Sequence, residues 1–170
     1  VLAKDQRIFM NRYWEIQNAY ENQNKLEEYA DLIESVDLKS FRQNPWYLSN
    51  AIQNMSYREK SRDRAVALFK KAWEALPDNR SELLSAMHND YFWKIPEIYD
   101  YARQGIIPTE TSVQRNPWAG FGQTISWSGN GKMDTLIAKM LTMAQGSGKL
   151  DALATEVEET IKKLPKWEGG

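Results

Sequence analysis

Cysteine is absent from the 170-residue chain, and histidine occurs once, at His88. The absence of cysteine excludes disulfide bonds and thiolate metal sites, although it does not decide the cellular compartment. One histidine without cysteine also gives none of the common clusters of metal ligands. We therefore expect no metal and no cofactor.

The chain has little net charge and no long apolar run. Its 22 Lys and Arg residues nearly balance its 23 Asp and Glu residues, and no basic block occurs. General attraction to nucleic acid or to an anionic membrane is therefore not expected. No apolar run approaches the roughly 20 residues of a membrane-spanning helix, so we expect no membrane insertion. Because the chain starts without Met and without a leader pattern, we expect a piece of a longer protein.

Aromatic residues are plentiful in an otherwise globular composition. Hydrophobic residues make up 42% of the chain and charged residues 26%, which indicates a folded domain and not a disordered segment. Seven Trp and eight Tyr residues are many for this length. Such large rings need either a core or a partner to cover them.

The clearest pattern lies in residues 61–79. Ala65, Phe69 and Ala72 follow one another at steps of four and three, which places them on one stripe of a helix, and Pro77 stands just past its end. Two small residues beside one aromatic ring let a neighbouring helix approach closely. This stretch resembles the second helix of a tetratricopeptide (TPR) repeat.

Apolar periodicity predicts helical hairpins on both sides of that stretch. We place them at residues 4–37, 45–77, 80–105 and 132–165, with an insertion at 109–132 that departs from the TPR pattern. The first helix of the third hairpin is expected to run from Ser81 to Trp93, and Ser61 or Asp63 to cap the helix in 61–79. Steps of four, three and five also recur near the end of the chain, at Leu153, Val157, Thr160 and Pro165.

The predicted fold is all-α. The resemblance implies a right-handed α-α solenoid of about four hairpins, which forms one domain over residues 1–170. Each hairpin is too small to bury its own apolar face and needs a neighbour. A generic helical bundle is the alternative.

The resemblance also implies a concave face, lined by the first helices of successive hairpins, that binds an extended peptide or a partner helix. Carboxamides can donate to and accept from a peptide backbone, and an exposed Trp usually has something to cover it. The alternatives are an ordinary solvated face and packing of a Trp against the neighbouring hairpin. The candidate binding residues are Asn11, Trp14, Asn18, Asn22, Trp46, Ser49, Gln53, Tyr57, Ser85, Asn89 and Trp93.

Two further tryptophans, Trp118 and Trp127, lie in the insertion at 109–132. Long connections with aromatic residues of their own are often functional, so this loop is a candidate lid or contact for another domain. The alternative is that both rings fill an apolar gap between helices.

Catalytic patterns are weak. His88 with Asp90 and Glu97 is the best candidate for an active site, but no nucleophile motif accompanies it. The glycines near Lys132 fail the phosphate-loop pattern, because Met133 stands where Ser or Thr is required. We therefore predict a non-catalytic scaffold that binds a protein, a peptide or other domains of its own chain. A structural spacer and an enzyme with a site around His88 are the alternatives.

Overall fold

The structure, a computed structural model, describes residues 11–107 and 132–163. These residues form α-helices and short 3₁₀ turns without any β-strand, so the all-α prediction is confirmed. The α-helices are α1 (Tyr13–Asn22), α2 (Leu26–Ser35), α3 (Pro45–Ser56), α4 (Arg62–Ala75), α5 (Arg80–Leu83), α6 (Ile98–Ile106), α7 (Lys132–Gly146) and α8 (Leu150–Lys163).

The chain divides into two compact units, residues 1–94 and 95–170. The first unit contains α1 to α5, and the second contains α6 to α8. The division falls inside the hairpin predicted at 80–105. A single domain over the whole chain stays a prediction.

The turn between α1 and α2 depends on Asn24, which has a left-handed backbone with φ of 55°. The main-chain N–H of Asn24 donates to the carbonyl of Glu21, and that of Lys25 donates to the carbonyl of Tyr20. These two bonds form a Schellman motif, which ends a helix by satisfying its last carbonyls. The chain can therefore reverse within three residues and begin α2.

The core of the first unit surrounds α4. Ala65, Phe69 and Ala72 are buried, which confirms the stripe predicted from their spacing. Phe69 packs edge-to-face against Phe92, with ring centroids 5.4 Å apart, and Trp73 lies one turn further along α4. The stripes predicted for α2 and α3 are also buried, namely Leu26, Tyr29, Ile33, Val36, Leu48, Ala51, Ile52 and Met55.

The prediction that Ser61 or Asp63 caps α4 is wrong. Ser61 does precede the helix, but its side chain makes no capping hydrogen bond. Its hydroxyl donates instead to the carbonyl of Met55, 2.7 Å away, near the end of α3. The carboxylate of Asp63 accepts a hydrogen bond from the hydroxyl of Tyr91. Both side chains therefore connect α4 to neighbouring segments instead of capping it.

The helix predicted from Ser81 to Trp93 is also wrong. Helix α5 ends at Leu83, and 3₁₀ turns follow at Leu84–His88 and Phe92–Lys94. Asn89 has an extended backbone, and its side-chain carbonyl accepts a hydrogen bond from the N–H of Tyr91 at 2.9 Å. Such local side-chain bonds compete with helix formation and favour a turn.

Polar contacts across the first unit recur at similar sequence separations. The phenol of Tyr13 bonds to the main chain of Tyr47, 34 residues later, and Gln17 bonds to Asn50, 33 residues later. The hydroxyls of Ser49 and Ser85 are hydrogen-bonded to each other across 36 residues. On α2 and α4, further contacts have separations of 33 residues at Asp31–Arg64 and 37 residues at Glu34–Lys71.

In the second unit, the apolar residues of three helices are buried. They are Ile98, Tyr99, Ala102 and Ile106 of α6, Leu136, Met140 and Ala144 of α7, and Leu153 of α8. Arg103 of α6 binds the carboxylate of Glu156 of α8 at 2.5 Å. Gly148, with φ of 68°, forms the turn between α7 and α8. Trp118 and Trp127, and most of the predicted insertion, lie outside the described residues.

Candidate functional site

Four aromatic rings gather where α1 and α3 begin. Tyr13 stacks on Tyr47 with ring centroids 4.5 Å apart, and its phenol donates to the main-chain carbonyl of Tyr47 at 2.5 Å. The indole rings of Trp14 and Trp46 lie beside them, with centroids 5.3 Å apart and planes tilted by 57°. The two tyrosines thus join the helices, and the two tryptophans contact each other at the surface.

Local sequence explains this arrangement. Tyr13 and Trp14 are neighbours on α1, and successive residues of a helix point about 100° apart. Tyr13 therefore turns inward, with 1% of its surface exposed, while Trp14 keeps 45% exposed. Pro45 occupies the first turn of α3, where a missing N–H costs nothing. It places Trp46, which is 47% exposed, and Tyr47 at the same end of α3.

Side-chain carboxamides continue the contact between α1 and α3 beyond the aromatic rings. The side-chain amide of Gln17 donates to the side-chain carbonyl of Asn50 at 3.3 Å, and Asn54 donates to the same oxygen at 3.2 Å. The phenol of Tyr29 donates to the buried carbonyl of Gln17 at 3.5 Å. Because Gln17 is buried, its bond to Asn50 helps to hold α1 and α3 in register.

An ion pair joins α1 to the residue pair that follows α3, at the end opposite the aromatic rings. Arg58, just after α3, lies 3.3 Å from the carboxylate of Glu21 on α1. Tyr57 is 56% exposed at the end of α3, and the amide of Gln53 lies 3.5 Å from its hydroxyl. We call the outward surface of these two helices the α1–α3 face, and define it by Trp14, Asn18, Glu21, Trp46, Asn50, Gln53 and Tyr57.

Burial changes the acid–base behaviour of the tyrosines beneath this face. It raises the pKa of Tyr13 and the pKa of Tyr29 well above their ordinary value of 10.0, because a buried phenolate would lose its hydration. Both phenols therefore stay protonated as hydrogen-bond donors across the physiological pH range.

All four candidate residues of the first hairpin and two of the four in the second are exposed. Trp14, Asn18, Trp46 and Tyr57 are exposed, and Gln53 is half-buried, on the α1–α3 face. Asn11, before α1, and Asn22, at its end, are exposed as well. Whether these residues bind a partner stays a prediction.

The placement of Ser49 on an exposed face is wrong. Its side chain is buried, and its hydroxyl is hydrogen-bonded to that of Ser85. The candidates of the third predicted hairpin do not share a helical face either, because α5 ends at Leu83. They are Ser85, Asn89 and Trp93. Asn89 binds its own turn, and the indole of Trp93 donates to the carbonyl of Met87 at 2.6 Å. Trp118 and Trp127 belong to residues that the structure does not describe.

Sequence reasoning missed Gln17, Tyr47 and Asn50. A signal existed for Gln17, which stands between Tyr13 and Tyr20 at steps of four and three and so lies on the buried stripe. Asn50 had no comparable signal, because Gln17, the residue through which it contacts α1, lies on another helix. Tyr47 is half-buried, and its ring packs on residues 33 and 34 positions earlier in the chain.

Other chemistry has little support in the described ranges. His88 is half-buried and ends a 3₁₀ turn. Within residues 11–107 and 132–163, no three His, Cys, Asp or Glu side chains are grouped to hold a metal ion. None of the helices in those ranges has the length and apolar character to cross a membrane. A catalytic site around His88, Asp90 and Glu97 stays a prediction.

Comparison with known proteins gives no relative. No family model matches the chain, and neither the curated proteins nor the solved structures that were searched contain a significant match. Functional inference therefore depends on the geometry of the α1–α3 face.

Proposed function

We propose that the chain is a non-catalytic scaffold of TPR-like helical repeats that binds a peptide segment along the α1–α3 face. The observation that carries this proposal is the contact between Trp14 and Trp46, both nearly half exposed, on the first helices of two successive hairpins. Exposed Trp residues that form a patch are typical of binding sites, because they bury a large area when a partner covers them.

The recurrent separations of 33 to 37 residues support the repeat architecture. A TPR unit has about 34 residues, so equivalent positions of neighbouring units contact each other at that separation. Tyr13–Tyr47 and Gln17–Asn50 join the first helices of two hairpins, and Asp31–Arg64 joins their second helices. This pattern suits stacked helical repeats better than a generic bundle, in which separations have no reason to repeat.

A peptide is the proposed ligand because two uncommitted carboxamides lie on or beside the face. The carboxamides of Asn18 and Asn22 make no hydrogen bond or other polar contact within the described part of the chain. An extended peptide presents unpaired N–H and C=O groups, which carboxamides satisfy in pairs. A structural spacer has no need of exposed aromatic rings beside such amides.

The test is selection from a random-peptide display library with the 170-residue chain as target. A double variant, Trp14→Ala with Trp46→Ala, serves to identify peptides that need the face. A second double variant, Leu150→Ala with Ile161→Ala, is the matched control, because it removes exposed apolar side chains from the second unit. Circular dichroism and thermal unfolding show that each variant is folded.

We expect peptides that bind the parent and the control variant at least about tenfold more tightly than the Trp variant, a difference of roughly 1.4 kcal/mol. Selection of no peptide, or of peptides that bind all three proteins equally, would contradict the proposal and favour the spacer.

A further inference from the structure

We propose that the segment bound by the α1–α3 face is proline-rich and adopts the polyproline II conformation. This inference rests on the proposed function and adds the chemical class of the ligand. Three properties of the face carry it: its charge, its hydrogen-bond donors and its dimensions.

The face is electrically neutral. On α3, the outward positions from Trp46 through Asn50 and Gln53 to Tyr57 carry no charge. On α1, the charge of Glu21 is balanced by Arg58 at 3.3 Å. A charged ligand would lose hydration here and gain no partner of opposite sign, which disfavours acidic and basic peptides. A segment of proline and other uncharged residues matches this face.

Indole N–H groups supply donors that a proline-rich chain needs. An indole can donate but cannot accept, and a proline residue can accept through its carbonyl but has no N–H to donate. No hydrogen bond joins the indole of Trp14 or Trp46 to another group of the described residues. Asn18 adds a side-chain amide on the same face. Donors of the protein and acceptors of the ligand therefore correspond.

The dimensions also agree. Tyr57, the residue just past the end of α3, follows Trp46 by eleven residues, which is about 16 Å along the helix axis. A polyproline II helix rises about 3.1 Å per residue, so roughly five ligand residues span this length. The indole rings of Trp14 and Trp46 contact each other with centroids 5.3 Å apart, so they form one continuous apolar surface on which a pyrrolidine ring can pack.

Conformational entropy favours the same class of ligand. A flexible peptide loses conformational entropy when it becomes ordered on a surface, and this loss weakens binding. A proline-rich segment already adopts its extended conformation in solution. Aromatic grooves in other proteins use this advantage to bind proline-rich ligands.

The test uses fluorescence polarisation of labelled decaproline with the 170-residue chain. A decapeptide of alternating Gly and Ser is the matched flexible probe, and a neutral β-glucan hexamer is the unlabelled competitor. We expect decaproline to bind, the Gly-Ser peptide not to bind, and the hexamer not to compete. The Trp14→Ala, Trp46→Ala variant should bind decaproline at least about tenfold more weakly, and the Leu150→Ala, Ile161→Ala control should bind it as the parent does.

Two further measurements address the mechanism. Raising the salt concentration should change the dissociation constant by less than about twofold, because no charge contributes to the interface. The variant Trp14→Phe with Trp46→Phe keeps two rings but loses both donors, so it should bind roughly threefold more weakly or worse. Strong salt dependence, or full binding by the Phe variant, would overturn the proposal.

Failure of this inference can be distinguished from failure of the proposed function. If display selects peptides that depend on both Trp residues but lack proline, and decaproline does not bind, the peptide-binding function stands and the proline-rich ligand is rejected. If display selects nothing and decaproline does not bind, both are rejected. Displacement of the labelled decaproline by the glucan would also overturn the inference.

Discussion

Tyr13 donates a hydrogen bond from its buried phenol to the main-chain carbonyl of Tyr47, 34 residues further along the chain. The same two rings are stacked, so one residue pair aligns α1 with α3 through both a polar and an apolar contact. The exposed tryptophans next to them owe their mutual position to this alignment.

Alkaline pH should unfold the protein, and Tyr13 should account for part of this effect. Burial raises the pKa of Tyr13 and Tyr29 in the folded chain above the ordinary value of 10.0. The unfolded chain therefore loses these protons first as the pH rises. The two buried phenols make their full contribution to the free energy of unfolding below pH 10. Above pH 10 this contribution declines by roughly 1.4 kcal/mol per pH unit for each tyrosine.

Tyr13→Phe should make the free energy of unfolding fall less steeply with pH, by the equivalent of one proton. Urea unfolding at several pH values between neutral and pH 11 measures this slope. It should also cost about 1 kcal/mol at neutral pH, because the carbonyl of Tyr47 loses its donor. Tyr57→Phe is the control, since the side chain of Tyr57 remains exposed after folding. An unchanged slope in Tyr13→Phe would show that its phenol does not resist ionisation.

The small residues of α4 should resist enlargement. Ala72 is fully buried, and Ala67 on the same helix is exposed. Ala72→Leu should destabilise the first unit by about 1–3 kcal/mol, because the extra methyl groups displace packed neighbours. Ala67→Leu adds the same atoms at the surface and should change stability by less than about 0.5 kcal/mol. Equal effects in chemical denaturation would argue against close packing at Ala72.

The two left-handed turns should respond to substitution in opposite directions. Gly148 has φ of 68°, and a Cβ atom there would meet no neighbour within 4 Å. Gly148→Ala should therefore cost about 1 kcal/mol from backbone strain alone. Asn24, with φ of 55°, also lies in the left-handed backbone region, which asparagine adopts less easily than glycine does.

Asn24→Gly should consequently be neutral or stabilising by a few tenths of a kcal/mol. Thermal unfolding of both variants measures these changes. A stabilising Gly148→Ala, through the stiffer unfolded chain, would contradict the backbone conformation of this turn.

The ion pairs between α2 and α4 should contribute little to stability. Arg64 lies 2.7 Å from Asp31 and 3.4 Å from Glu34, and about a third of its side chain is exposed. Arg64→Met should lower the free energy of unfolding by less than about 1 kcal/mol, and high salt should remove the difference. Lys70→Met, on the same helix, is the control without an ion pair in the described part of the chain. A larger loss that persists in salt would point to packing of the Arg64 stem.

Sequence periodicity was sufficient for helices whose buried faces are continuous. Ala65, Phe69 and Ala72 were assigned to the core from spacing alone, because one side of a helix must be apolar to be buried. The same reasoning failed between Leu84 and Lys94. There, Leu84, Met87 and Phe92 are buried, but Asn89 satisfies the N–H of Tyr91 locally and replaces the helix by turns.

The candidate site was predictable only in part. Exposure of Trp14 and Trp46 follows from their position off the apolar stripes. Their contact with each other depends on the angle and register between two helices, which a single sequence does not contain. Ser49 illustrates the same limit, because its burial requires Ser85, 36 residues away, as a partner.

The hydroxyl pair of Ser49 and Ser85 also constrains how this chain can diverge. Ser85→Ala would leave the buried hydroxyl of Ser49 without this partner, at a cost of about 1–3 kcal/mol, whereas Ser49→Ala would leave the hydroxyl of Ser85 with its bond to the carbonyl of Glu82 at 2.9 Å. Replacing both removes the need for either. Neutral drift should therefore change Ser49 before Ser85 or together with it, so that descendants with an apolar residue at position 85 also carry one at position 49.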